Sequence, residues 1–310
     1  MTLPDRLTLK NPTDIPLERL VDFVRAYETS VNGTPTCSRE DIVLETGIPG
    51  YRDNSWCLTD AEGELVAWAA LTVRGGDTAD CALTVLPGEH DEAAARGLLR
   101  ILLNRADELG REQDTSYAVS VGGVLSGDTV VPPVLERDGF VRGTTYGRYD
   151  VALSTAPLPP VLPDQGSIRA IASAADTDAV HAVHLRDRSR GPKTGSVDLF
   201  RARLDRFREA GGIALVLEVA GRAAGYVLAI GQQGGGEGRI VELGVAPASR
   251  GLGVGLALVT AALAELRSLG STRALIDMNP GEFTDHEGLR RVLAVQTEPR
   301  AVTRYHKRTA

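Results

Sequence analysis

A chain of 310 residues, 43% hydrophobic and 24% charged, has the composition of a water-soluble globular protein long enough for two domains of ordinary size. No apolar run approaches the ~20 residues of a membrane span, and the opening MTLPDRLTLKNPTD has no basic-then-apolar export signal, so no membrane attachment and a cytoplasmic location are expected. The net charge of −7 is uneven: residues 1–166 hold 14 Lys and Arg against 26 Asp and Glu, whereas residues 167–310 hold 20 against 15, so the second half is better suited to an anionic ligand. The three cysteines, Cys37, Cys57 and Cys81, lack CxxC spacing; they support neither a disulfide framework nor a metal site and are expected to be buried thiols.

In chain order, apolar spacing at Leu17, Leu20, Val21, Val24 and Tyr27 predicts a helix through Val31, capped at Thr13 or Asp14. Ser55–Leu58 and Glu64–Val73 read as paired strands about a turn at Asp60–Gly63, and Cys81–Leu86 as a third strand stopped by Pro87. Ala93–Leu109 follows as a helix closed by Gly110, then a strand at Tyr117–Val121 and a short helix leading into Gly139-Phe140-Val141. Residues 154–166, STAPLPPVLPDQG, contain four prolines and read as an extended linker between a domain at 1–153 and another at 167–310. Beyond it, helices are expected at Ala175–Leu185 and Val197–Glu209, and strands at Ile213–Val219, Gly225–Ile230, Ile240–Val245, Ala274–Met278 and Ala301–His306.

The order of elements repeats. At an offset of 160 residues, Val85 and Pro87 fall on Val245 and Pro247, and Leu109-Gly110 on Leu269-Gly270; at 158, Trp68 falls on Tyr226. Two copies of one α/β unit fit better than two unrelated domains. The copies differ at one turn, where GEHDEAAA (88–95) stands against ASRGLGVG (248–255). Glycines there allow backbone N–H groups at a helix start to approach a phosphate, whereas carboxylates answer the helix dipole themselves and repel one. The Rossmann glycine spacing and the Walker lysine are both absent.

The run VELGVAP (241–247) followed by Arg250-Gly251-Leu252-Gly253-Val254-Gly255 resembles the central strand and pyrophosphate loop of the GNAT (GCN5-related N-acetyltransferase) family. The resemblance implies two tandem α/β domains, each a mixed, mostly antiparallel sheet flanked by helices, of which the first is degenerate. It further implies an acyltransferase moving an acyl group from acetyl-CoA or another acyl-CoA to an amine on a small molecule. A donor carried on an acyl carrier protein, or a non-catalytic acyl-CoA-binding module, are the alternatives, and nucleic acid is not expected as a partner. Arg250, Gly251, Leu252, Gly253, Val254 and Gly255 would cradle pyrophosphate; Leu243, Gly244 and Val245 would hold pantetheine, with a strand bulge at Gly244. Glu242 is the candidate base, the plain alternative being a salt-bridged strand carboxylate. Asp277 is the candidate for the amine site, unless an arginine buries it. The tyrosine such enzymes use as acid has no counterpart before Ala294-Val295, where Arg290 stands, which leaves Tyr305, Tyr226 and His286 as substitutes. The basic run from His184 to Lys193 reads either as an acceptor-site wall or as a solvated loop.

Overall fold

The computed structural model describes residues 6–48, 50–73, 78–153, 159–187, 196–231, 236–278, 293 and 300–307. Its elements run β1 (Thr8–Lys10), α1 (Leu17–Asn32), α2 (Arg39–Thr46), β2 (Ser55–Thr59), β3 (Leu65–Val73), β4 (Thr78–Val85), α3 (Asp91–Glu112), β5 (Ala118–Leu125), α4 (Val131–Arg137) and β6 (Val141–Ala152). They continue as β7 (Gly166–Ala170), α5 (Ala174–Arg186), α6 (Val197–Glu209), β8 (Ile213–Val219), β9 (Arg222–Gly231), β10 (Gly236–Val245), α7 (Val254–Ser268), β11 (Ser271–Met278) and β12 (Arg300–Lys307). Two compact units result, Met1–Thr145 with Arg300–Ala310, and Tyr146–Pro299. The chain thus divides within β6, upstream of the proline-rich residues 154–166, and its final strand joins the first unit.

Each unit has one strand order. In the first it is β1-β2-β3-β4-β5-β12, and in the second β7-β8-β9-β10-β11-β6. Four antiparallel strands are followed by one parallel pair, β4 with β5 or β10 with β11, and then by an antiparallel strand contributed from the far end of the other half of the sequence. These are the mixed, mostly antiparallel sheets that the family resemblance implies.

Strand alternation sorts the side chains to two faces. In β3, Ala67, Ala69 and Leu71 pack with Leu98, Leu102 and Ala106 of α3, while Leu65, Trp68 and Ala70 pack with Leu20, Val21 and Phe23 of α1. In the second unit, Val227 and Ala229 of β9 pack with Leu258, Ala262 and Leu266 of α7. Leucines as completely covered as Leu258 and Leu266 contribute roughly 1.5–3 kcal/mol each.

Several local expectations change. Helix α1 begins after Pro16; Thr13 and Asp14 instead lie in a 3-10 turn capped by the Asn11 side chain. Gly110 does not end α3, which runs two residues further, and a Cβ at Gly110 would lie 2.7 Å from the Thr115 carbonyl oxygen. Helix α2 has weak apolar periodicity and escapes prediction; its start is specified by a capping box between Ser38 and Asp41.

All three cysteines are buried and free. Burial pushes the Cys57 and Cys81 thiols up to about 12, which keeps them protonated and unreactive at neutral pH. Titration with a thiol-reactive disulfide dye at pH 8 should find no fast-reacting thiol in native protein and three after unfolding in guanidinium. A rapid native reaction at any of the three would show that the core does not close over it.

Candidate acyl-transfer site

The site is built from the central strand of the second unit. Strand β10 pairs with β9 from Gly238 to Val245, but with β11 only from Gly236 to Ile240, where Ile240 meets Ile276. Beyond that, β11 continues along β6 as far as Met278. Among the described residues, Leu243 and Val245 of β10 form no ladder pair on the β11 side. The Ala246 amide donates to the Ala224 carbonyl of β9, so by alternation Gly244 also turns its backbone toward β9. Leu243 and Val245 direct theirs to the open side, where an extended amide-bearing chain such as pantetheine can pair with them.

The open edge leads into the glycine turn. A 3-10 turn at Pro247–Ser249 is followed by Arg250, Gly251 at φ +77° and Gly253 at φ +79°, and α7 then starts without any side-chain cap. Those dihedrals are left-handed and favour glycine, and nothing stands within 4 Å of where either Cβ would be. The helix N–H groups thus face open space, the arrangement that accepts a phosphate. Leu252 is exposed, Val254 is buried, and Gly255 sits in ordinary contact with Val245 and Leu243. The half-exposed Arg250 donates to the buried Asp187 at the C-terminus of α5 (2.9 Å), which holds its guanidinium beside the turn.

At the same turn of the first unit, Asp91 accepts from the Gly88 and Glu92 amides, and Glu92 pairs with Arg96 and Arg137. The helix start is occupied by its own carboxylates.

Glu242 is the centre of the polar groups. It is 6% exposed and faces α5 and α6 rather than α7. Oε2 accepts from Arg203 of α6 (2.5 Å); Oε1 accepts from the Tyr226 hydroxyl of β9 (2.5 Å) and lies 2.8 Å from His184 Nδ1 of α5. His184 Nδ1 is also 2.7 Å from the Tyr226 oxygen, and Phe200 packs against both rings. Burial, then the Glu242 charge, raises Tyr226 well above the usual phenol range, so it stays protonated. Glu242 likewise raises Arg203, which remains a cation. At the repeat-equivalent places the first unit has Trp68, packed among apolar residues, for Tyr226, with Thr84 for Gly244 and Ala82 for Glu242. The polar cluster belongs to the second unit alone.

The other site candidates separate. Gly244 is not at a bulge; the register shift in β10 lies between Ile240 and Glu242. It is required for space instead, since a Cβ there would come 2.2 Å from Cε1 of Tyr226. Asp277 faces Arg148 across the β11–β6 ladder in a two-pronged ion pair of 2.7 and 3.0 Å, so the arginine-paired alternative holds. Tyr305 is not brought to Glu242: it lies on β12, opposite Val121, in the first unit's core. His286 and Arg290 lie outside the described residues, as do residues 188–193 of the basic run. Arg203 and Phe200 escape sequence reading because nothing local marks them. The available signal is indirect: a buried strand carboxylate demands a cation, and α6 is the arginine-rich helix preceding that sheet.

Fold and site define a doubled α/β protein in which, among the described residues, one unit leads an open strand edge into a glycine-rich helix start without a side-chain cap. Residues 178–307 match the model of the Acetyltransferase (GNAT) family. A mycothiol acetyltransferase of Salinispora tropica is 37% identical over 120 residues, a match spanning 36% of this chain and 39% of that relative's length. One from Cellulomonas flavigena is 26% identical over 305 residues, 91% of this chain and 82% of the relative. Among solved structures, a GCN5-related N-acetyltransferase from Sphaerobacter thermophilus shares the fold with a TM-score of 0.72 at 18% identity, over 99% of this chain and 96% of that one. A tandem GNAT protein from the clavulanic acid biosynthesis pathway does so at 0.63 and 19%, over 97% and 98%. The second half of the chain carries a domain of the GNAT acetyltransferase family, whose donors are acetyl-CoA or other acyl-CoA, and the chain as a whole shares the fold of a tandem GNAT protein. None of its described helices is long and apolar enough to cross a membrane.

Proposed function

We propose that the protein transfers an acyl group from coenzyme A to the amine of a small molecule, with chemistry in the second unit. The observation that carries this is the cluster of Tyr226, His184 and Arg203 about the buried Glu242, centred on the strand whose open edge runs into the glycine turn. In that arrangement the turn binds pyrophosphate, Leu243 and Val245 pair with pantetheine, and the thioester is drawn up to the strand edge. Rate then comes from orienting an amine on the carbonyl carbon and removing its proton. Relatives named for acetylation of mycothiol support a low-molecular-weight acceptor. The first unit, with carboxylates in its turn, serves as scaffold.

Purified protein incubated with acetyl-CoA and longer acyl-CoA donors and a panel of small amines should release free thiol in step with amide formation. Gly253→Asp places a carboxylate in the turn at a left-handed backbone position. It should weaken acyl-CoA binding by at least about tenfold, measured calorimetrically, with little change in melting temperature. Unchanged affinity would remove the turn from the donor site.

A further inference from the structure

The proton positions within the cluster carry one more step, which rests on the acyl-transfer reading above. We propose that the Nε2 atom of His184, and not a Glu242 oxygen, takes the proton from the acceptor amine, with Glu242 as the positioning residue that fixes the imidazole.

Both Glu242 oxygens are already accepting: Oε2 from the Arg203 guanidinium, Oε1 from the Tyr226 hydroxyl. Tyr226 has one proton, and it is directed at Glu242. His184 Nδ1 lies 2.8 Å from the same Oε1 and 2.7 Å from the Tyr226 oxygen. With the tyrosine proton committed, two lone pairs would face each other at 2.8 Å unless Nδ1 carries a hydrogen. Nδ1 is therefore the donor, and a neutral His184 has its lone pair on Nε2. Among the described residues Nε2 has no hydrogen-bond partner, and the His184 side chain is 13% exposed against 8% for Glu242. The ionisable groups around the ring are Tyr226 from β9, Glu242 from β10, Arg203 from α6 acting through Glu242, and His181 stacked one helical turn away on α5. A carboxylate holding one imidazole nitrogen fixes the ring's orientation and supports the imidazolium that forms.

The step balances. The amine nitrogen forms a bond to the thioester carbonyl carbon, its proton passes to Nε2, and the carbon–sulfur bond breaks with its electron pair going to sulfur. The imidazolium then returns the proton to that thiolate, giving amide, free thiol and neutral His184.

Two measurements test this. His184→Asn keeps an N–H donor near the Nδ1 position but has no atom at Nε2. It should keep acyl-CoA affinity and melting temperature while lowering kcat/KM by about 10²–10⁴-fold. Independently of turnover, long-range ¹H–¹⁵N spectra of histidine-labelled protein, with His184 assigned by its loss in the variant, should show the Nδ1–H tautomer. An active native enzyme whose His184→Asn form stays within about threefold in kcat/KM overturns the role of His184 alone, as does an Nε2–H tautomer. A native protein that turns over no donor with any amine overturns the acyl-transfer reading, and this step with it. If His184→Asn fails to fold, kcat/KM of His184→Gln and the native tautomer decide the matter.

Discussion

Replacing Glu242 with glutamine should lower kcat/KM by about 10²–10⁴-fold while leaving acyl-CoA affinity within a few fold. The donor-binding elements, the free edge of Leu243 and Val245 and the glycine turn, are untouched by the change. The proton-handling cluster is not, because the amide is uncharged toward Arg203 and holds both the Tyr226 hydroxyl and His184 Nδ1 less strongly. Glu242→Ala should cost more in stability, on the order of 3–5 kcal/mol by denaturant unfolding, since it leaves a guanidinium and a buried phenol without their shared acceptor. Steady-state kinetics, calorimetric binding and urea unfolding separate these effects. A Glu242→Gln enzyme with native kcat/KM would reduce Glu242 to a structural carboxylate.

The second large effect is expected at Gly244. Adding one methyl group sets a Cβ 2.2 Å from Cε1 and 2.9 Å from Cζ of Tyr226, whose ring is already packed by Phe200 and bonded to His184 and Glu242. Either the ring turns out of the cluster or β9 and β10 separate. Gly244→Ala should therefore destabilise by roughly 1–3 kcal/mol and depress activity together with stability. Because the clash is with a single ring, Gly244→Ala combined with Tyr226→Leu should cost less than the sum of the two changes, with a coupling of roughly 0.5–3 kcal/mol. Strict additivity would mean that the glycine is needed for some reason other than the tyrosine.

Much of the frame was legible before any coordinates. The strand, turn and helix from Ile240 to Gly270 stand where alternation, proline, glycine and 3.6-residue spacing put them, and helices α5 and α6 match their predicted spans to within a residue. The 160-residue offset anticipated two units of one strand order, and the acid-filled turn at Gly88–Ala95 is self-satisfied as its charge implied. The errors have a common origin. A glycine that normally ends a helix lies inside α3, because Gly110 is placed there by the close return of Thr115. Tyr305 is a substitute acid only because no tyrosine stands before Ala294-Val295, and its strand, distant in sequence, completes the first unit's sheet.

The sequence by itself determined the local backbone: left-handed positions at Gly251 and Gly253, an uncapped helix start, and periodic apolar faces. These follow from dihedral preferences and side-chain spacing within a few neighbouring residues. Tertiary structure alone decided that Glu242 meets Arg203, Tyr226 and His184, separated from it by 39, 16 and 58 positions in the chain. It alone decided which nitrogen of His184 is left free, and which unit receives the last strand. Those outcomes depend on burial, where a carboxylate must find donors and a sheet edge must find a partner, and such requirements are met across the fold and not along the sequence.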